Sequence, residues 1–384
     1  MTKKLFSILR YTSIVASVAS LFIISGCGGD AKEPVPTMNI KDLIASAEFK
    51  QSATVDKSLA LDSASKYLNL YPSLVTLISG TTEYTLFAPS NEAFVNLLAT
   101  PGFPSKISLI DPKIIEGVLS YHFVAGKKLS ADLVAGTVLN SLYSETVYVT
   151  PASPTLPAVQ TITVNADLSL KTGSINQAIK INTKDKKATN GAVQVVQSVM
   201  IPPSTAAVLT PILGTMAGTI LLGKDFTQLA KIIIAADKIV TGTTVKITTY
   251  LAMPSANYPG GKGGTFFASP NAVLTDATVT ALTSATDKGR SFLLNHLVAG
   301  KYGVAAGTDI TVMSTTGQTF NPFSNTPNTP KTITVIRAPV GATNPNGVIV
   351  TTGAATDQTK YAPIFVKDLA HSNGLVQVIG GVLQ

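Results

Sequence analysis

The stretch Tyr84-Thr-Leu-Phe-Ala-Pro-Ser-Asn-Glu-Ala-Phe94 decides the fold, read together with Ser120-Tyr-His-Phe-Val-Ala-Gly-Lys127. Leu86 and Phe87 end a short apolar strand, and Pro89, with no amide hydrogen to give a ladder, closes it. Ser90 suits a helix N-cap, and Glu92 places negative charge in the first turn, where the helix dipole favours it. Ala93, Phe94, Leu97 and Leu98 then recur at helical spacing. The segment reads strand, corner, short helix. A second helix opens at Asp111-Pro112, a cap followed by proline at the first helical position. Ile115, Val118 and Leu119 share a face with His122, and Gly126 is expected to end that helix.

Outward from these boxes, residues 39–49 and 58–70 also show helical spacing, with Pro72 interrupting the second run. After Gly126 the period changes to two: 146–150, 161–165 and 175–181 alternate as strands, bounded by Pro, Gly or Asn. The run 184–187, three lysines around Asp185, reads as a solvated turn, and Asn190-Gly191 as a tight turn before a last strand. Helices first and strands later predict an α+β fold rather than a doubly wound sheet. The pattern then recurs. After a helical run at 226–239 and an apparent insertion at 241–264, Thr265-Phe-Phe-Ala-Ser-Pro-Asn-Ala-Val-Leu274 echoes the first box. Leu293-Leu-Asn-His-Leu-Val-Ala-Gly-Lys-Tyr302 echoes the second, and Ser372-Asn-Gly-Leu-Val-Gln-Val-Ile379 the closing strand. Phe87 and Phe267, His122 and His296, and Asn190 and Asn373 stand at nearly one period, which predicts an internal duplication. The expected domains are 38–203 and 205–384, the second divergent, with long loops at 321–330 and 339–347.

These boxes resemble the fasciclin-like domain. That family carries a Thr-Val-Phe-Ala-Pro-Thr-like first box, a second box centred on a histidine followed by Val-x-Gly, and an Asn-Gly-Val-Ile-His-Val-like closing strand. Here the close is Asn190-Gly-Ala-Val-Gln-Val-Val196, followed by Met200-Ile-Pro-Pro203. The resemblance implies two fasciclin-like domains, each a β-sandwich-like wedge of strands with helices packed on one side, and a role in adhesion. His122 and His296 occupy equivalent family positions, and two readings are open for them. One is a buried, hydrogen-bonded imidazole pinning a helix to the sheet. The other is a ligand contact: in animal relatives a Tyr-His pair at this box is implicated in receptor binding, and Tyr121-His122 matches it, whereas the second copy has Asn295-His296. Tyr121, His122 and His296 are therefore the candidate binding residues. The family's last-strand histidine is replaced by Gln194 and Gln377.

At the start, Lys3, Lys4 and Arg10 precede an apolar core at 14–24 that is short for a membrane span. Ile24-Ser25-Gly26-Cys27 resembles a bacterial lipoprotein signal, which implies loss of residues 1–26 and a thioether-linked lipid on Cys27, the one cysteine of the chain. Acyl chains anchor at ~0.8 kcal/mol per buried methylene. Residues 27–37 then form the acylated anchor and a Gly/Pro-rich tether. Gly28, in place of an aspartate, points to the outer membrane or cell surface.

Composition excludes other classes. The net charge of +8 falls near +5 once Lys3, Lys4 and Arg10 leave, and only Arg290 and Arg337 remain as arginines, so nucleic acid is not an expected partner. Tryptophan, the strongest sugar-stacking side chain, is absent, though eleven tyrosines are available. Three histidines and one cysteine show no metal-ligand spacing, and no Gly-x-Ser-x-Gly elbow occurs. The stretch Gly218-Thr-Ile-Leu-Leu-Gly-Lys-Asp225 fits a phosphate loop until its last position, where aspartate would repel phosphate. No catalytic residue, metal or cofactor is expected. The expected function is a lipid-anchored cell-envelope protein, non-catalytic, contacting matrix, polysaccharide or a protein partner. The alternative is a substrate-capturing accessory lipoprotein of a glycan or nutrient uptake system.

Overall fold

A computed structural model of the chain describes residues 34–144, 159–173, 178–242, 244–284, 287–307, 309–323, 332–354 and 356–383. Cys27 with its signal, the strand expected at 146–150 and most of the loop at 321–330 lie outside the described residues.

The first half has helices α1 (Ile40–Ile44), α2 (Asp62–Leu68), α3 (Pro72–Ser79), α4 (Asn91–Leu98) and α5 (Pro112–Ser120). Its strands are β1 (Tyr84–Pro89), β2 (Phe123–Ala125), β3 (Val138–Ser144), β4 (Val159–Val164), β5 (Leu170–Lys171), β6 (Ile181–Ala188) and β7 (Gly191–Val196). The second half has α6 (Pro203–Ile212), α7 (Met216–Leu222), α8 (Thr227–Lys238), α9 (Ile247–Ala252), α10 (Asp276–Thr283) and α11 (Lys288–Asn295). Its strands are β8 (Gly264–Ala268), β9 (Leu297–Ala299), β10 (Lys301–Gly303), β11 (Ile310–Val312), β12 (Thr319–Phe320), β13 (Ile333–Arg337), β14 (Val348–Thr351), β15 (Ala362–His371) and β16 (Gly374–Ile379).

The corner after β1 forms as its residues dictate: the Ser90 side chain accepts from the Ala93 amide, and the Asp111 side chain accepts from Lys113 to open α5. Several local expectations give way. Pro72 starts α3 rather than ending a helix, because proline at the first helical position has no amide to waste. Helix α5 stops at Ser120, since Phe123 and Val124 pair with β1; Gly126, at φ 78°, ends β2 instead. The Lys-rich run 184–187 is no turn but part of β6, where Asp185 takes φ 61° at an irregularity in the pairing with β7. The strand expected at 175–181 begins, among the described residues, only at Ile181. The stretch 241–264 is not mere insertion, because it contains α9, with Ile247 and Leu251 in the core.

The first sheet runs β5-β4-β3-β2-β1-β7-β6, with β1 parallel to β7. The second runs β12-β13-β14-β15-β16-β8-β9, with β8 parallel to β16. These orders are one ring opened at two places. In the first half the gap lies between β5 and β6, spanned by the single pair Leu170↔Ile179. In the second it lies between β9 and β12, spanned by Val298↔Pro322. Where the first half has Val124↔Ser141 joining β2 to β3, the second has that lone pair; where the first has Leu170↔Ile179, the second has β14 paired to β15 through Val350↔Ala362. Beside this ring, β10 and β11 form a small parallel pair.

Alternation along the central strands builds two cores per half. Leu86, Ala88, Val193 and Val195 face the helices, while Phe87 and Val196 face Ile162 and Val164 inside the curled sheet. Phe266, Ala268, Val376 and Val378 repeat the helix-side pattern, and Phe267 and Ile379 the inner one. Each half is thus a sandwich-like wedge with helices on one side. Residues 36–384 pack as one compact unit: Gly214 donates to the Gly102 carbonyl, Asp111 to that of Leu222, and Ile114 and Ile201 flank the helix-side core of the second half.

Candidate functional site

The two box histidines sit just past α5 and α11, where each chain leaves a helix to enter a strand beside β1 or β8. His122 is 0% exposed and His296 1%. Nδ1 of His122 lies 2.8 Å from the Val118 carbonyl oxygen, and Nε2 accepts the Met200 amide at 2.9 Å. His296 repeats this with the Phe292 carbonyl at 2.8 Å and the Leu383 amide at 3.0 Å. An amide can donate only to an unprotonated nitrogen, so both rings are neutral with the proton on Nδ1. Burial lowers both to about 4 against an ordinary 6.5, partly opposed by the helix carbonyl. Each ring ties a helix end to the segment after the last strand of its sheet. Backbone closes the same corner: Phe87 donates to the His122 carbonyl and Phe267 to that of His296.

Tyr121 is also fully buried; its hydroxyl donates to the Thr161 carbonyl at 2.6 Å, its ring meets Tyr143 edge-on, and burial pushes its phenol up. Of the two readings open for Tyr121, His122 and His296, this geometry is that of the buried, hydrogen-bonded brace. Their polar atoms are consumed inside the fold, and a ligand could reach them only by lifting a helix from its sheet.

Two further polar devices recur, unanticipated in the sequence. Gln194, in place of the family's last-strand histidine, accepts the Asp185 amide at 2.9 Å and donates to the Lys128 carbonyl at 3.0 Å and to the Asp185 carboxylate at 3.1 Å. That carboxylate also accepts both the amide and the hydroxyl of Ser130. Burial pushes its pKa up, but the Ser130 and Gln194 hydrogen bonds outweigh this and hold the carboxyl below its usual range. Gln377 and Asp368 repeat the clamp on the Tyr302 carbonyl and the Val304 and Ala305 amides. Asp185 and Asp368 share φ values of 61° and 53°. The common spacing, Asp185 to Gln194 and Asp368 to Gln377, was the signal available in the sequence. The second device is an asparagine latch. Asn190 accepts from Ile40 and donates to the Ile78 carbonyl; Asn373 accepts from Met216 and donates to that of Leu251. The next residue must be glycine in both copies, since a Cβ would fall 1.7 Å from the Tyr84 oxygen at Gly191 and 2.1 Å from the Gly264 oxygen at Gly374.

The accessible concavity lies elsewhere. A groove of about 1080 Å³ runs along β15, walled by Phe365, Val366 and Leu369 on the strand, Phe226 below, and Phe103 and Leu109 from the first half. His371 closes one end with Nε2 3.1 Å from the Thr219 hydroxyl, its pKa lowered by burial to about 4. The stretch set aside as a phosphate loop forms no cradle: Gly218 lies inside α7, and Asp225 is exposed on the groove's lining. Among the described residues no group of three or more His, Cys, Asp or Glu could hold a metal ion, and no helix is long and apolar enough to cross a membrane.

Residues 60–202 match the Fasciclin domain family. The transforming growth factor-beta-induced protein ig-h3 of Sus scrofa is 30% identical over 131 residues, 34% of this chain; the match spans 16% of that protein's length. Among solved structures, the FAS1 domain pair from the insect cell adhesion molecule Fasciclin I is similar at 13% identity and a TM-score of 0.31, over 83% of this chain and 96% of that one. Fasciclin domains are typically adhesion or binding modules, and proteins that carry them are secreted or extracellular. The segment 60–202 is a fasciclin domain, and the second sheet-rich half of the chain repeats its fold.

Proposed function

We propose that this chain is a lipid-anchored cell-envelope protein that acts by binding, in adhesion or in contact with matrix, polysaccharide or a protein partner, and not by catalysis. The match of residues 60–202 to the fasciclin family supports the binding part of this reading, and the Cys27 box of the sequence the anchor. The two domains, 38–203 and 205–384, serve as rigid carriers whose buried polar groups hold the scaffold, leaving contact to the surface. Cys27 supplies the anchor to the outer membrane or cell surface, and Cys27→Ser is expected to move the protein from the detergent phase to the aqueous phase; unchanged partitioning would remove the anchor from the account.

The alternative, capture of a glycan for uptake, requires a polar site with stacking rings. The groove along β15 is largely apolar, which favours a protein surface over a sugar. Beads coated with the full chain test the two directly. Adhesion to cells or matrix proteins supports binding of macromolecules, whereas selective micromolar retention on a glycan array without adhesion supports capture.

A further inference from the structure

The link between the first two helices of each half differs in length. In the first half, residues 45–61 join α1 to α2; in the second, only 223–226 join α7 to α8. The longer link lies along β6. Its Ser58 carbonyl accepts from Asn182 at 2.9 Å, its Glu48 pairs with Lys186, and its Phe49 is buried in the helix-side core. Register carries these positions across, since Ile181 pairs with Val196 as Ile364 does with Ile379, and Lys186 with Val193 as Leu369 with Val376. Phe365 thus stands where Asn182 does, and Leu369 where Lys186 does. The polar edge that the first half covers with its own chain is, in the second half, apolar and left partly exposed. Phe365 is 42% and Val366 45% exposed. On the side away from β16, β14 reaches β15 only at Ala362 and Pro363. On the groove's lining, the exposed Asp225 carboxylate makes no ion pair or hydrogen bond among the described residues.

We propose that this groove binds an extended peptide segment of another protein, carrying one or two large apolar side chains next to a lysine or arginine. The inference names a partner class for the binding function proposed above and rests on it. Three observations select the occupant. The first half fills the equivalent space with polypeptide running beside the strand, so the geometry is suited to a main chain. The exposed Phe365 and Val366, with Leu369 beside them, offer apolar seats. Asp225 is the charged side chain on the lining, and it is complementary to a cation.

The test pans a phage-displayed dodecapeptide library against the full chain in mild detergent and measures the enriched peptides by fluorescence anisotropy. Enriched sequences are expected to combine Phe, Leu, Ile or Val with Lys or Arg. Val366→Asp is expected to weaken them roughly tenfold and Asp225→Lys roughly fivefold. Both sites are exposed, so melting temperatures should stay within about 2 °C of the parent. Peptides that bind both variants like the parent, or no enrichment, overturn the proposal. So does displacement of the peptides by palmitate, or a dimer that Val366→Asp converts to monomer, since the groove would then hold an acyl chain or a second copy. Coated beads separate this failure from that of the binding reading. If Val366→Asp beads adhere like the parent while no peptide binds, the groove falls and the binding function stands; if neither parent beads nor peptides bind, both fall.

Discussion

The first domain seals the outer edge of β6 with residues 45–61, whereas the second leaves the matching edge of β15 open to solvent. Their sheets also open at different joints, β5/β6 in one and β9/β12 in the other. Inside, the two agree closely: the histidine brace, the Asp–Gln clamp and the asparagine latch recur with equivalent partners. The contrast has a physical cause. A buried polar group without a partner costs about 1–3 kcal/mol, so these devices can change only if every member changes together. A perimeter link contacts solvent on one side and can lose residues at small cost, so divergence collects there, and with it the surfaces available for binding.

Breaking the braces should have the largest effect. His122→Ala and His296→Ala each strand a carbonyl and an amide and leave a cavity, and each is expected to cost about 3–4 kcal/mol in denaturant unfolding of its own domain. A difference between them above about 1.5 kcal/mol would break the equivalence of the two halves. Acid should act on both domains at once. The folded imidazoles protonate near 4 and unfolded ones near 6.5, so the unfolded chain takes up protons first as the pH falls. Stability from this source is therefore full above pH 6.5 and declines toward pH 4, by roughly 2 kcal/mol for each brace at pH 5. Urea titrations at pH 7 and pH 5 measure it, and a flat profile would show that the rings are not held neutral.

Removing a clamp is the next smaller step. Asp185→Ala and Asp368→Ala leave amides without acceptors, and a cost of about 1–3 kcal/mol is expected for each. Hydrogen exchange should then quicken at Ser130 in the first domain, and at Val304 and Ala305 in the second. The smallest effect belongs to the seal on β6. Lys186→Ala removes a partly exposed ion pair with Glu48, and surface pairs contribute about 0–1 kcal/mol. A larger loss would mean that the seal is a structural requirement, and the open edge of β15 would then be expected to weaken its own domain.

Much of this was legible in the chain, for reasons that can be named. The strand–corner–helix of the first box depends on local signals, Pro89 and the Ser90 cap, and it forms where the sequence placed it. The duplication is legible because the histidines are fixed by two buried hydrogen bonds each and the Asn-Gly pairs by close backbone approach. The β6 strand reads as a turn from sequence because Lys186 faces a covering segment that sequence cannot place beside it. The helix α9 reads as insertion from sequence because the second half is shorter before α8 and longer after it, which disguises its match to α3. The clamps leave only the shared Asp-to-Gln spacing as a trace, since most of their partners are main-chain amides and carbonyls, which every residue carries. The groove was hidden too, since it arises from an absent segment and from packing between distant parts of the chain.

The account depends most on the two imidazoles being neutral, alike and inside. Ring-nitrogen NMR of the ¹⁵N-histidine-labelled chain, with signals assigned by His122→Gln and His296→Gln and followed from pH 8 to pH 4, addresses this directly. Both rings are predicted to keep the proton on Nδ1 and to resist titration until the pH approaches 4. A ring that titrates near 6.5, or two rings in opposite tautomers, would contradict it.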